Sequence, residues 1–334
     1  MRIPFEEMKA EFERVFIKYG LSKEKAEICA RVHAQTSRDG VYSHGANRIA
    51  RFISYVKKGW VDVNAEPTKE KEFGAIAVYN GNLGPGITNA LFCTDRAIEI
   101  AKKYGIGLVG LKNTTHWMRG GTYGLYAAQK GFVSISWTNT ESSMPPWGGA
   151  EPRLGNNPFV MAAPAEPEPA LLDMAMSLYS YGKLQVTRLA GKKLPFPGGF
   201  DKNGILTNDP GAIEESMRIL PMGYWKGSSF AFMLDILGAI LSDGIGAADI
   251  DKIGKGSCGG CSQIFIIIDP EKISVKDHIN EVIKKAREYI KTSSLAQGDK
   301  EIHSPGEGIT AARKENDEKG ILIDDGVWAE IKAL

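Results

Sequence analysis

Gly105-Ile106-Gly107-Leu108-Val109-Gly110 has the spacing of a dinucleotide-binding loop, and its reading decides the fold. Such a loop needs a strand before the glycines and a helix after them, because the helix's first N–H groups hold the pyrophosphate. Here the order is reversed. Residues 89–104 ahead of the motif have helical periodicity, and residues 106–111 read as a strand running through it. Gly105 and Gly107 then read as a helix C-cap and a tight entry into a strand. Two more matches fail the same test. Residues 254–259 lie in a loop leading into a strand, and residues 306–311 open a helix that no strand precedes.

Outward from this stretch, short apolar runs divided by Gly and Pro predict strands at 75–79, 106–111, 132–137, 158–163, 170–174 and 263–268. A very apolar helix is expected over 228–242. Residues 142–157 and 194–211 show little periodicity, as long binding loops do. Three helices open the chain. Phe5, Met8, Phe12, Val15 and Phe16 recur at helical spacing, and Ser22 caps a second helix that stops near Asp39-Gly40. A third starts near Ser43-His44, with Ile49, Phe52, Ile53 and Val56 on one face, and ends at Gly59. We expect a helical lobe over 1–70 packed with C-terminal helices of 275–334, and a sheet-containing cofactor- and substrate-binding core over 71–274.

With 41 Lys and Arg against 40 Asp and Glu, the 334-residue chain carries a formal net charge of +1. That leaves no electrostatic footprint for nucleic acid or an anionic membrane. The apolar run 230–241 contains Asp235 and is too short for a bilayer, and the charged N-terminus lacks a signal peptide's apolar region. Four cysteines are too few for a disulfide scaffold in so long a chain, so a reduced cytoplasmic protein is expected. Cys258-Gly259-Gly260-Cys261 is a lone C-x-x-C before a strand. Zinc needs two further ligands and a redox pair normally opens a helix, so a plain loop with no metal is the reading.

Two polar clusters carry chemistry. His44 lies in Tyr42-Ser43-His44-Gly45-Ala46-Asn47-Arg48, at an expected helix start with Arg48 one turn further along the same face. An imidazole passes protons near neutral pH, and a guanidinium grips a carboxylate bidentately. A helix N-terminus would oppose protonation of His44 until an anion binds. Spacing alone fits equally a polar helix start capped by Ser43. The second cluster, Asn113 to Gly121 with His116 and Arg119, follows a strand, where α/β proteins place site loops. Pro221 to Gly227, with Tyr224, Trp225 and Lys226, suits ring packing and phosphate contact, or simple aromatic packing.

Taken in order, Val41 to Arg48, Asn113 to Gly121, Trp137 to Gly148, Asp173 to Ser177 and Leu220 to Gly227 resemble the malate/L-lactate dehydrogenase family that lacks the Rossmann fold. The likeness runs nearly end to end, including Asp324-Asp325-Gly326-Val327-Trp328. It implies an α/β chain with a non-Rossmann dehydrogenase fold: a largely antiparallel, mixed sheet flanked by helices, plus a small helical lobe. It further implies a homodimer using NADH, with NADPH as the alternative, and a small carboxylate substrate whose ketone is reduced. His44 is its acid/base. The cofactor falls to Pro169-Ala170-Leu171-Leu172-Asp173-Met174-Ala175, to Trp225-Lys226, and to Gly306-Glu307. Within this frame Arg48 and His116 are candidates for binding the carboxylate and polarising the carbonyl, and Ser43 for orienting a neighbour. Malate, lactate or ureidoglycolate as substrate, or a binding module that has lost catalysis, are the other readings; the presence of both His44 and His116 argues against the last.

Overall fold

In the computed structural model, which describes residues 1–334, the chain opens with a two-residue strand, β1 (Arg2–Ile3), and two helices, α1 (Phe5–Lys18) and α2 (Lys23–Arg38). Met8, Phe12, Val15 and Phe16 fall on one face of α1 and are buried, and the Ser22 hydroxyl caps α2 by accepting from the Lys25 amide at 3.3 Å. The third helix departs from expectation. Residues 42–48 form two 3-10 turns, Tyr42–His44 and Ala46–Arg48, and α3 (Ile49–Lys57) begins only after them. Gly45 is the cause. It lies so close to α2 that a Cβ there would run into the Ser37 hydroxyl, and its ψ of -123° breaks the helical path. His44 and Arg48 therefore do not share a helical face.

The core follows as β2 (Thr68–Phe73), β3 (Ile76–Asn80), α4 (Gly86–Tyr104), β4 (Ile106–Thr114), α5 (Gly121–Gln129), β5 (Val133–Thr138), β6 (Phe159–Ala163) and β7 (Ala170–Met174). Next come α6 (Tyr181–Leu189), the small hairpin β8 (Gly199–Phe200) and β9 (Leu206–Thr207), and α7 (Pro210–Ser216). The long apolar α8 (Trp225–Ser242), α9 (Ala247–Ile253) and β10 (Cys261–Ile268) complete it. The chain closes with α10 (Lys276–Ile290), α11 (Glu307–Lys319), β11 (Ile321–Leu322) and α12 (Asp325–Ala333).

All six expected strands lie in one seven-stranded sheet, ordered β2-β3-β4-β10-β5-β6-β7. Only β3 and β4 run parallel; every other pair is antiparallel, so the sheet is mixed and largely antiparallel as expected. The seventh strand, β2, escapes sequence reading because Thr68-Lys69-Glu70-Lys71-Glu72-Phe73 is exposed throughout and shows no apolar alternation. The glycine motif does what its order implied. Gly105 takes φ 84° as the left-handed C-cap of α4, and β4 starts at the next residue. A Cβ at Gly107 would strike the Ala97 carbonyl of α4, whereas one at Gly110 would strike the Leu241 carbonyl of α8. The two glycines thus let helices press on both faces of one strand.

Three apolar clusters fill the molecule. One joins α1, α2 and α3 to Ile321, Ile323, Trp328 and Ile331 near the C-terminus. The second lies between the sheet and α4 and α5, and the third between the opposite sheet face, α8 and the loops around α6 and α7. Of the C-terminal helices, α11 and α12 contact the N-terminal ones, through Arg38–Asp317 and Trp328–Phe12. By contrast, α10 rests on the β6–β7 connection, where Arg287 donates to the carbonyls of Glu168 and Pro169 at 3.0 and 3.2 Å.

A buried ionic chain ties the helical part to the sheet. Asp39, at the C-cap of α2, accepts from Arg119 in the loop after β4 and from Arg313 of α11 at 2.6 and 3.1 Å. Both Asp39 and Arg119 are almost wholly buried, and the Arg119 Nε lies 3.7 Å from Asp173 of β7. Removing one partner of a buried pair leaves the other charge without compensation. Asp39→Asn should therefore lower unfolding stability by about 3–5 kcal/mol in urea titration. A loss below about 1 kcal/mol would show that the pair does not carry this junction.

Candidate active site

Because β10 runs antiparallel to both β4 and β5, its start lies beside their ends: Cys261 pairs with Thr114, and Gln263 with Thr138. Past those ends come His116, Glu141 and the Cys258–Cys261 turn. The 42–48 turns of the helical lobe cover this corner. The His44 ring stacks on His116, with ring centres 5.8 Å apart and planes 21° apart. His44 is held from behind. Ser37 of α2 accepts from the Ala46 amide at 2.8 Å and donates to the His33 carbonyl at 3.0 Å, while His33 Nδ1 meets the Gly45 carbonyl at 3.2 Å. That carbonyl only accepts, so Nδ1 carries the His33 proton and the buried Nε2 is left without a partner.

The same logic sets the His116 tautomer. Its Nδ1 accepts from the Met118 amide at 2.9 Å, so the neutral ring carries hydrogen on Nε2. His44 Nδ1 meets the Ser43 hydroxyl at 3.0 Å, so Ser43 orients His44 itself. Burial, followed by the charges of Arg48 and Arg119, pushes His44 down to about 3. Burial and then Arg48 also push His116 well below the usual histidine value. Both rings are neutral near pH 7. The opposition to a proton on His44 comes from burial and arginines, and not from a helix N-terminus as the sequence suggested.

Arg48 and Glu141 also carry unpartnered atoms at this corner. The Arg48 Nε is buried without a hydrogen bond, and burial pulls the guanidinium down from its ordinary value. Glu141, just beyond β5, has a buried Oε2 with no partner, and burial raises its carboxyl. Sequence reading missed Glu141, as it missed Asp39, His33 and Ser37 as supports. Each acquires its role only through strand pairing or helix packing. The C-x-x-C cysteines are buried free thiols; burial pushes Cys258 up to about 12, and Cys261 bonds the Ser257 carbonyl at 3.4 Å.

The residues expected at the cofactor gather along β7, an edge strand. At one end the Leu171 amide reaches the Pro305 carbonyl at 3.4 Å, and Gly306 sits so close that a Cβ would lie 3.1 Å from the Pro169 carbonyl. A cavity of about 450 Å³ opens here, lined by Pro169, Gly306, Thr310, Arg313 and Lys130. At the other end the Met222 amide donates to the Met176 carbonyl at 2.7 Å, which brings the start of α8 beside the end of β7. Trp225 is 58% exposed there, with the Lys226 ammonium 6.0 Å from its ring. The Lys226 and Gly227 amides are already bonded to the Gly223 and Met222 carbonyls, so the helix terminus offers an anion less than the sequence implied. The Lys226 ammonium has no ion pair and remains available.

Two expected residues are engaged elsewhere. Asp173 accepts from the Gly121 amide at 2.9 Å and faces Arg119; burial raises its carboxyl and Arg119 draws it down. Glu307 accepts from Lys291 at 2.6 Å and from the Ser304 amide at 2.9 Å, which hold it at about 2. No single helix is long and apolar enough to cross a membrane.

Comparison with known proteins fits this architecture. The chain is 44% identical to 2,3-diketo-L-gulonate reductase of Escherichia coli (strain SMS-3-5 / SECEC) over 334 residues, covering 100% of both. Malate dehydrogenase from Pyrococcus horikoshii OT3 superposes with a TM-score of 0.90 at 29% identity, over 99% of this chain and 93% of that one. Sulfolactate dehydrogenase from Methanocaldococcus jannaschii gives 0.89 at 30%, over 100% and 96%. The family model for malate/L-lactate dehydrogenase matches residues 3–332, so the chain belongs to that family of oxidoreductases.

Proposed function

We propose that the chain reduces a 2-keto sugar acid, 2,3-diketo-L-gulonate to 3-dehydro-L-gulonate, with His44 as proton donor. The observation that carries this reading is the stacked His44–His116 pair beside an unpartnered, partly buried Arg48. The full-length identity to a reductase of that substrate supports the choice of acid. Arg48 takes the carboxylate and so sets the neighbouring C2 carbonyl against the two rings. His116 donates its Nε2–H to the carbonyl oxygen and draws charge onto it. His44 passes its proton to that oxygen as the alcohol forms, and Ser43 keeps the ring in place.

A bound nicotinamide supplies the hydride. NADH is our choice, with NADPH the alternative. The fit rests on the β7 edge, where Pro169 to Ala175, Trp225-Lys226 and Gly306-Glu307 converge. Trp225 offers an exposed ring and Lys226 an unpaired charge to a phosphate. The main chain of Asp173, rather than its engaged carboxylate, lines that edge. We place the enzyme in the cytoplasm as a homodimer; α8 supports the latter, because Phe232, Met233 and Ile240 stand exposed on it. The Arg48 corner suits the carboxylate of malate or sulfolactate equally, so another 2-hydroxy acid of the family is the second reading.

His44→Ala should keep NADH affinity and lose about 10²–10⁴-fold in turnover. In the intact enzyme a donor with a free-state value of about 3 is protonated less at every step above that pH. The kcat/KM for reduction should therefore fall about tenfold per unit from pH 5 to pH 8. The plateau in kcat should extend higher, because bound carboxylate offsets Arg48. A flat kcat/KM profile, or full turnover by the Ala variant, removes His44 from this role.

Arg48→Lys retains the charge but loses the planar fork. KM for the acid should rise at least about tenfold, since a charged contact contributes roughly 1.5–3 kcal/mol. Unchanged KM for every acid would make Arg48 structural.

For the cofactor, Trp225→Ala and Lys226→Ala should each weaken NADH binding by about 1–3 kcal/mol in fluorescence titration. Gly107→Ala, which forces β4 off α4, should cost about 1–3 kcal/mol of stability and leave that affinity alone. The reverse pattern would return the cofactor to the glycine motif.

A further inference from the structure

The proposed mechanism gives no part to residues 178–220, yet one helix of that excursion touches the turn that carries His44. The excursion closes on a narrow neck: the Leu178 amide donates to the Leu220 carbonyl at 2.7 Å, and Ser177 pairs with Pro221. Within it α6 is held at two points outside the helical lobe. The Tyr181 hydroxyl donates to the Ser143 carbonyl at 2.9 Å, and Leu184 is wholly buried in the apolar cluster of Met144, Leu154 and Met176. Ser180 caps the helix by accepting from the Lys183 amide at 3.1 Å.

Gly182, the second residue of α6, abuts Ser43. A Cβ at this position would stand 2.7 Å from the Ser43 Cβ and 3.4 Å from the Ser43 hydroxyl oxygen. Carbon atoms in contact settle at about 3.5–4.0 Å, so a larger residue would push the two segments apart by roughly 1 Å. With the helix tied down at Tyr181 and Leu184, the partner that moves is Ser43. Its hydroxyl is the one side-chain partner of the His44 ring, 3.0 Å from Nδ1. A shift of roughly 1 Å takes that contact out of hydrogen-bond range. Glycine weakens a helix relative to alanine, so its place in α6 serves the close approach to Ser43 and not the helix.

We infer that Gly182 is a positioning residue for the proton donor: its missing Cβ lets α6 stand against Ser43 and keeps the Ser43 hydroxyl on His44 Nδ1. This rests on the proposed role of His44 and adds what holds that ring in register. Burial first, then the charges of Arg48 and Arg119, then His33 and Arg51 oppose a proton on His44, and His116 is stacked on the ring. Against them stands the one hydroxyl. It accepts from Nδ1–H of the charged ring and donates to Nδ1 of the neutral one, so Ser43 can partner both states of a proton carrier. Moving it away leaves the charged ring without an acceptor.

The test compares wild type, Gly182→Ala, Ser43→Gly and the double variant in reduction of 2,3-diketo-L-gulonate by NADH, with NADH affinity measured separately by fluorescence. Gly182→Ala should lower kcat about tenfold or more, the effect of one lost hydrogen bond to a charged group, while NADH affinity stays within about twofold. Because the charged ring loses its acceptor, the plateau of kcat should also end at lower pH than in wild type. A purely structural defect would scale kcat without moving that edge. Ser43→Gly removes both the carbon that the new methyl would strike and the hydroxyl, so in that background Gly182→Ala should change kcat by less than about twofold. Unchanged kcat in Gly182→Ala, an unmoved pH edge, or losses that multiply in the double variant would overturn the role of Gly182 while leaving the reductase reading in place. Should Gly182→Ala fail to fold, the double variant regains the space and has to fold with the turnover of Ser43→Gly. Its failure to do so, with Ser43→Gly folded, overturns the role as well. A wild type that binds NADH but reduces no acid would overturn both readings.

Discussion

The Asp39–Arg119 ion pair is the contact on which the active-site geometry depends. Asp39 ends α2 five residues before His44, and Arg119 lies three residues beyond His116. One buried bond therefore fixes the spacing of the two short segments that carry the stacked rings. Arg313 of α11 shares the same carboxylate, and Arg119 leans toward Asp173, which binds the first amide of α5. Two arginines and two aspartates thus compensate one another where water is largely excluded. Replacing such a chain with apolar side chains is often tolerated for stability alone. Here its directional bonds align helix, loop and edge strand together, which apolar packing does less selectively.

The charge that remains uncompensated lies next door. Burial raises the cost of a proton on His44, and Arg48, followed by Arg119 and Arg51, raises it further. The site is thereby biased toward an anion before a proton. A carboxylate on Arg48 removes one of the charges that oppose protonation, and by reciprocity a proton on His44 strengthens binding of that carboxylate. In the proposed mechanism substrate binding and proton delivery are thus coupled through the field of one guanidinium, with no movement of the backbone required. His116 differs because its Nδ1 is committed to the Met118 amide. It is thereby suited to donate from Nε2, whereas His44, tied only to a hydroxyl, is free to exchange its proton.

Sequence legibility followed the range of the interactions. The six apolar strands and the long helices rest on local periodicity and were found within a few residues. The reversed order of helix and strand around Gly105 was enough to reject a Rossmann loop. The His44 turns were misread as a helix start because the break at Gly45 comes from Ser37, eight residues back on a helix packed against it. Strand β2 was invisible because it is exposed throughout and carries no apolar alternation, although it pairs with β3. Nothing local marks Glu141, whose carboxyl comes under the influence of the Arg48 charge only in the folded chain. Asp39 and Arg119 are 80 residues apart, and nothing local in either announces the other.

The β4 glycines show why the motif itself leaves no room for a pyrophosphate. In a Rossmann loop, glycine lets a phosphate approach the backbone. In β4 the same spacing lets α4 and α8 approach the strand from opposite faces, so the space that pyrophosphate would use is filled by helix backbone. In the proposed reading phosphate is held outside the packed centre of the sheet, at the edge strand β7, near Pro305, Gly306 and the start of α8. There the Lys226 and Gly227 amides are already satisfied by the 222–223 turn. In that reading the positive charge comes from a side chain, Lys226, the unpaired cation at that position. Close packing at the sheet centre is thus the consequence of the reversed order, a helix before the glycines and a strand after.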